Sequence, residues 1–159
     1  MKNAFWSALA LSTAALLPAA CSEKAAEAPA SPDAPAGISA TNARLILPAV
    51  KGNPGAVYFD LANTGTKNMV IRAASVQGSD MAMIHRTTDT GGQMSMDEVM
   101  QQPVAPGETV KFAPGGLHVM TGKLADTVVA GGKTEVTVTF VGGDKISFPA
   151  DVRAAGDER

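Results

Sequence analysis

Both histidines of this 159-residue chain lie in the segment 81–120, together with six of its eight methionines. Neutral imidazole nitrogen and thioether sulfur are ligands for soft metal ions, and Cu(I) is the leading candidate for such a donor set. The two histidines and two of the methionines follow the spacing H-x10-M-x21-H-x-M, formed by His85, Met96, His118 and Met120. This segment is therefore the part of the chain best suited to metal chemistry.

The spacing within the segment also indicates how the donors would be presented. Side chains two residues apart on an extended strand point to the same face. His118 and Met120 are related in this way, as are Met94 and Met96. His85 has the same relation to Met83, which in turn lies two residues after Met81. Three strand-like pieces thus each offer a soft or imidazole donor, and a fold that joins their faces would create a metal site.

This pattern resembles the signature of the periplasmic copper chaperone family PCuAC, which it matches at all four positions. Two flanking motifs agree as well: A-P-G at 105–107 and P-G-G-L-H-V-M at 114–120. Upstream, G-A-V-Y-F-D-L-A-N-T-G at 55–65 resembles the first core strand and turn of the family. The resemblance covers roughly residues 40–150 and rests on several motifs at fixed spacing, which makes it specific.

The resemblance implies a copper site, a cupredoxin-like fold and a carrier function. Its metal ligands would be His85, Met96, His118 and Met120. Members of the family are similar to proteins that deliver Cu(I) to the binuclear copper A centre of cytochrome c oxidase, or that pass copper to another chaperone. The expected partner is therefore a copper-accepting protein, either an oxidase subunit or a second copper chaperone.

Ligand softness separates copper from the other metals. Zinc sites use histidine, cysteine and carboxylate ligands, and thioether is rare among them. A blue-copper centre needs a cysteine thiolate, whereas the single cysteine of this chain is Cys21, far from the histidines. Two thioethers and two imidazoles suit Cu(I), and Cu(II) could bind the imidazoles less selectively.

Methionine also serves as a flexible filler of apolar cores, so not every methionine is expected to bind metal. Packing is the simpler interpretation for Met69, Met81 and Met100. Met83 and Met94 remain open, because each lies two residues from a proposed ligand. Either could line the site or act as an auxiliary donor.

The N-terminal residues are typical of an exported protein. Residues 1–20 combine a positive start with a short apolar stretch and small residues, which predicts a signal peptide. Leu17-Pro18-Ala19-Ala20-Cys21 resembles a lipoprotein cleavage box, although Pro18 stands where leucine is preferred. The alternative is ordinary cleavage near Ala20 or Ala28. Residues 21–37, rich in alanine and proline, predict a linker that would tether the domain to a membrane through Cys21.

Residues 38–152 predict one all-β domain, followed by a polar tail at 153–159. Short alternating or apolar runs are separated by Gly, Pro and Asn turns, which indicates a Greek-key β-sandwich or barrel. We expect strands at the following ranges: 43–47, 56–63, 69–76, 81–86, 93–99, 109–112, 118–121, 133–141 and 145–149. Thr134–Val141 is the clearest, because Val136, Val138 and Phe140 alternate with polar residues.

Composition excludes several function classes. The formal net charge is −2 and there is no basic cluster, so we expect no nucleic-acid partner. The sequence contains no group of serine, cysteine or carboxylate residues typical of a nucleophile or an acid–base pair, so we expect no enzyme.

The prediction is a monomeric periplasmic Cu(I) metallochaperone, with a membrane contact only through a lipid on Cys21. The alternative is an extracytoplasmic interaction lipoprotein whose Met-rich surface docks a partner without metal transfer.

Overall fold

A computed structural model describes residues 34–157. The predicted signal peptide at 1–20, Cys21 and most of the predicted linker at 21–37 lie outside the described residues. Within residues 34–157, no helix has the length and apolar character needed to cross a bilayer.

The regular structure of residues 34–157 consists of β-strands, as the sequence predicts. There are ten: β1 (Ile38–Ile46), β2 (Ala56–Asn63), β3 (Met69–Val76), β4 (Ala82–Thr90), β5 (Gln93–Glu98), β6 (Gln102–Val104), β7 (Thr109–Phe112), β8 (Leu117–Thr121), β9 (Lys133–Phe140) and β10 (Lys145–Arg153). The all-β class is confirmed.

Four strands differ most from the sequence-based expectation. The strand β1 begins at Ile38 rather than at residue 43, because its first residues pair with the end of β2. The strand β4 continues to Thr90 rather than ending at residue 86, because it pairs with β5 up to the hairpin turn.

The strand β6 was not predicted, since its three residues include Pro103 and only Val104 is buried. A proline is tolerated there because β6 lies at the edge of the strand order. The strand β10 continues past Pro149 to Arg153, because Ala150 and Val152 maintain its inward alternation and residues from Asp151 onward pair with β1.

The strands form one hydrogen-bonded sheet in the order β5-β4-β8-β7-β2-β1-β10-β9-β3-β6, with β8 also pairing with β2. Ile84 in β4 and Val104 in β6 come from opposite ends of this order, yet both belong to a single hydrophobic core. The sheet must therefore curl around that core, as a sandwich or barrel does.

The inner face of β2 shows why these residues form this core. Val57, Phe59 and Leu61 alternate inward and are almost fully buried. The Phe59 ring stacks on Phe112 of β7 at 4.2 Å between centroids and meets Phe148 of β10 at 5.1 Å. Each such buried aromatic side chain contributes roughly 1.5–3 kcal/mol by leaving water. The outer face of β2 is left free to take part in a site.

Asn63 joins the end of β2 to the edge strand β6. Its side chain is 1% exposed. Its amide donates to the carbonyl oxygens of Lys67 and Val104 at 2.8 and 3.0 Å, and its oxygen accepts from the backbone N–H of Gly65 at 3.0 Å. A buried amide is tolerated here because its hydrogen-bonding groups are paired.

Candidate metal centre

The strand β8 presents two of the predicted ligands on its outer face. Leu117 and Val119 belong to the core. Because side chains alternate along a strand, His118 and Met120 face the other way. The same alternation operates in β4, where Ile84 is in the core. Its neighbours Met83 and His85 therefore share the outer face with His118 and Met120.

The register of β4 and β8 places the two histidines directly opposite each other. His85 pairs with His118, and Met83 pairs with Met120 two residues along the same ladder. The centroids of the two imidazole rings are 6.0 Å apart and the ring planes are tilted by 55°. Two imidazoles at this separation, on one face of adjacent strands, can both reach one metal ion, since metal–nitrogen bonds are about 2.0–2.1 Å long.

Met96 comes from the edge strand β5, which a tight turn joins to β4. Gly91 and Gly92 both have positive φ, at 68° and 88°, as a two-residue type I′ hairpin turn requires. This turn sets the register, in which Met96 lies opposite Thr87. Because Thr87 is two residues beyond His85, the side chain of Met96 lies diagonally next to that histidine, on the same face.

Met96, His118 and Met120 line one open cleft of about 500 Å³. His118 is buried, whereas Met96 is 53% exposed. Tyr58, Gly55 and Gly156 also line this cleft. Three of the four predicted ligands thus border one solvent-accessible space, and the fourth, His85, lies beside His118.

The hydrogen bonding of His118 indicates which nitrogen is available to a metal. Its Nδ1 lies 3.1 Å from the carbonyl oxygen of Gly116. A carbonyl can only accept, so Nδ1 must carry the proton and donate it. The lone pair then resides on Nε2. A ligating histidine is held by this kind of outer hydrogen bond, which fixes both tautomer and ring orientation.

His85 shows a different feature, two buried nitrogens without a partner. Neither Nδ1 nor Nε2 has a hydrogen-bond partner among residues 34–157, although both atoms are removed from solvent. Leaving a buried polar group unpaired costs about 1–3 kcal/mol. A metal bond at one of these nitrogens would offset that cost, so this imidazole fits the metal that the donor set implies.

Tyr58 supports His118 from the neighbouring strand β2. It is only 8% exposed, and its ring centroid lies 6.4 Å from that of His118. The guanidinium of Arg44, opposite Tyr58 in the ladder of β1 and β2, lies 5.1 Å from the centre of the tyrosine ring. Tyr58 was not among the predicted site residues, because only the long-range register reveals its position.

The remaining methionines differ in their distance from this centre. Met83 is the direct partner of Met120. Met94 is opposite Asp89, farther toward the hairpin turn, and is 63% exposed. Met69 pairs with Val104 at the other end of the strand order. Met81 and Met100 are exposed and lie outside the strands.

Within residues 34–157, no group of three or more His, Cys, Asp or Glu side chains could hold a metal ion. The donors gathered on the outer face of β4 and β8 are imidazoles and thioethers. This arrangement can bind a soft ion and can exchange one thioether for another ligand without a change in protonation.

Comparison with protein families gives one match over most of the chain. The family described as "Putative lipoprotein LpqE-like" matches residues 38–152. The protein of Leifsonia xyli subsp. xyli named "Putative lipoprotein Lxx21020" is 32% identical over 89 residues. That alignment covers 55% of this chain and 54% of the other protein, so it spans about half the length of this curated relative.

Solved structures share the fold. The copper-bound PCuAC domain from PmoF2 has a TM-score of 0.61 at 18% identity, covering 74% of this chain and 93% of that domain. The apo form of DR1885 from Deinococcus radiodurans has a TM-score of 0.59 at 20% identity, covering 95% and 100%. The Cu(I) form of DR1885 has a TM-score of 0.58 at 22% identity, covering 73% and 77%. The predicted resemblance to PCuAC domains and the cupredoxin-like fold are thereby confirmed.

Proposed function

This chain belongs to the LpqE-like family, and from that premise and the geometry of the metal centre we propose that it is an extracytoplasmic Cu(I) metallochaperone. The observation that carries the proposal is the pair of facing imidazoles, His85 and His118, with the buried nitrogens of His85 unpartnered within residues 34–157. The complete ligand set is His85, Met96, His118 and Met120.

Copper is supported by the donor chemistry and by the structural relatives. One of the similar domains is described as copper-bound, and DR1885 was solved with Cu(I). Thioether sulfur favours Cu(I) over Cu(II), whereas imidazole serves both oxidation states. A site with two thioethers should therefore hold the reduced ion more selectively than a site built from imidazoles alone.

Release to a partner requires an accessible ligand, and Met96 has that property. It is half exposed on an edge strand and borders the open cleft beside His118. A donor of an accepting protein could enter the cleft, bond to copper and displace Met96, with no change in oxidation state. The recipient we propose is a cytochrome c oxidase subunit, in assembly of its copper A centre, or another copper chaperone.

A carrier role, rather than an enzymatic one, follows from this ligand-exchange chemistry. The protein would act outside the cytoplasm, in the periplasm. Attachment to the membrane through a lipid on Cys21 is supported by the family and by the Leifsonia relative, both described as lipoproteins.

A Cu(I) competition titration of the purified protein tests the proposal. We expect one tightly bound Cu(I) per chain, and a large loss of affinity in the His118→Ala variant. Met69→Leu is the matched control, since Met69 lies at the opposite end of the strand order. Equal affinity of the wild type and His118→Ala would refute the site.

The second candidate function is an interaction lipoprotein that binds a partner without metal. The exposed methionines favour it: Met94, Met96 and Met100 are 63%, 53% and 71% exposed. Such an apolar surface can serve as a contact site. The same titration separates the two functions, because this one predicts no stoichiometric copper binding.

A further inference from the structure

We infer that Met83 is a reserve ligand of the metal centre, which bonds to copper when Met96 gives it up to an accepting protein. The inference rests on the proposed copper site and adds to it a fifth donor with a defined role. Its basis is the position of Met83 in the ladder of β4 and β8 relative to the other donors.

Each pair of opposed residues on the outer face forms one row of the ladder. Met83 lies in the row next to that of His85 and His118. It is directly opposite Met120, and both side chains point outward because Ile84 and Val119 point into the core. Opposed residues in an antiparallel ladder have Cβ atoms about 4.5–5.5 Å apart. The thioethers of Met83 and Met120 can therefore approach the same metal ion. Met83 is also half-buried, which limits the side-chain freedom lost on binding.

Met96 occupies the row on the other side of the histidine pair. The row containing Thr87 and Met96 follows that of His85 along β4, whereas the row containing Met83 precedes it. The two thioethers thus flank the imidazoles from opposite directions. Met96 borders the cleft, and Met83 is absent from its lining. A ligand that enters through the cleft can therefore reach Met96 but not Met83.

The surroundings of the two residues also differ. Met96 lies on β5, all six residues of which are exposed, and such edge strands open locally at low free-energy cost. Met83 lies on β4 and is paired with Met120 of β8, and its side chain is half-buried. Met96 is therefore the donor that leaves readily, and Met83 is held in place.

The exchange needs no redox partner and moves no proton. The Cu(I)–sulfur bond to Met96 breaks as the bond to the sulfur of Met83 forms, and copper keeps its charge and its coordination number. Cu(I) is bound throughout by His85, His118 and Met120. On the side that Met96 has left, a donor of the accepting protein can then enter through the cleft and bond to copper as the bond to Met83 breaks, so the coordination number again stays at four.

X-ray absorption spectroscopy of the Cu(I)-loaded full chain tests this inference by counting sulfur ligands. We compare the wild type with Met96→Leu, Met83→Leu and the double variant, because leucine has a similar volume and cannot ligate. Two sulfur ligands are expected in the wild type and in each single variant, and one in the double variant. Met94→Leu is the matched control and should leave two, with or without Met96→Leu.

Affinities supply a second measurement. Met96→Leu alone should weaken Cu(I) binding by less than about tenfold, and adding Met83→Leu should weaken it by a further factor of about ten or more. A single sulfur in Met96→Leu, or two sulfurs in the double variant, would overturn the inference while leaving the copper site intact. Absence of Cu(I) binding by the wild type would overturn the proposed function as well, so the two failures are distinguishable.

Discussion

His85 and His118 face each other across the ladder of β4 and β8, with ring centroids 6.0 Å apart. In the sequence 32 residues lie between them, so the fold brings them together. His118 is oriented by the carbonyl of Gly116, whereas His85 has no such partner within residues 34–157. One imidazole is thus held in a fixed orientation, and the other has two buried nitrogens that the proposed metal would satisfy.

The two thioether ligands should decide the oxidation state that is bound. Replacing Met96 and Met120 together by Ala should lower Cu(I) affinity by more than about tenfold, at least 1.4 kcal/mol, and Cu(II) affinity much less. The imidazoles that serve both states remain in this variant. Parallel titrations with Cu(I) and Cu(II) measure the difference, and His85→Ala, which should weaken both, is the control. Equal losses for both ions would show that the methionines pack rather than ligate.

Tyr58 should contribute to copper affinity by holding the ring of His118. Tyr58→Ala removes the ring beside His118 and the surface on which the Arg44 guanidinium rests. Loss of a hydrogen-bonded outer-shell partner of a metal ligand costs about 10–100-fold in affinity. We expect a loss of about tenfold here, because the contact with His118 is one between rings. Tyr58→Phe keeps the ring and should remain within a few-fold of the wild type in Cu(I) titration. A Tyr58→Ala variant of unchanged affinity would show that His118 needs no support from β2.

Asn63 should matter for stability and not for copper. Asn63→Ala leaves the carbonyl oxygens of Lys67 and Val104 without their donor, which should cost about 1–3 kcal/mol. Urea unfolding of the metal-free protein measures this loss. Asn68→Ala, at an exposed position directly after Lys67 in the same loop, should change stability by less than about 0.5 kcal/mol. Equal stability of the two variants would mean that the buried amide contributes nothing net.

Lipidation at Cys21 predicts a membrane-bound protein. The full-length chain should partition with membranes, and Cys21→Ala should move to the soluble extracytoplasmic fraction, because a lipid chain adds about 0.8 kcal/mol of membrane affinity per buried CH₂. Fractionation followed by immunodetection measures this distribution. If the two forms are equally soluble, the signal is removed by ordinary cleavage, and Pro18 in the cleavage box is the physical reason.

The strands that alternate clearly were predictable from sequence. Val57, Phe59 and Leu61 mark β2 because every second residue is apolar, and the same holds for β9. The strand β6 was not predictable, since it is stabilised by pairing with β3 rather than by a pattern of its own. The extension of β10 past Pro149 likewise depends on the long-range pairing with β1.

The site was predictable only in part, for a related reason. The two-residue alternation of side chains along a strand places His118 and Met120 on one face. This alternation does not indicate which strands are neighbours in the sheet. The pairing of β4 with β8 determines that His85 faces His118 and that Met83 faces Met120. The contact of Tyr58 with His118 arises from the additional pairing of β2 with β8, which no local pattern predicts.

Anomalous diffraction at the copper absorption edge, from crystals of the Cu(I)-loaded protein, tests the central claim most directly. We predict one strong peak on the outer face of β4 and β8, bonded to Nε2 of His118, to one nitrogen of His85 and to the sulfurs of Met96 and Met120. Bond lengths should be about 2.0–2.3 Å. A copper peak remote from both histidines, or no ordered copper at full loading, would contradict the account.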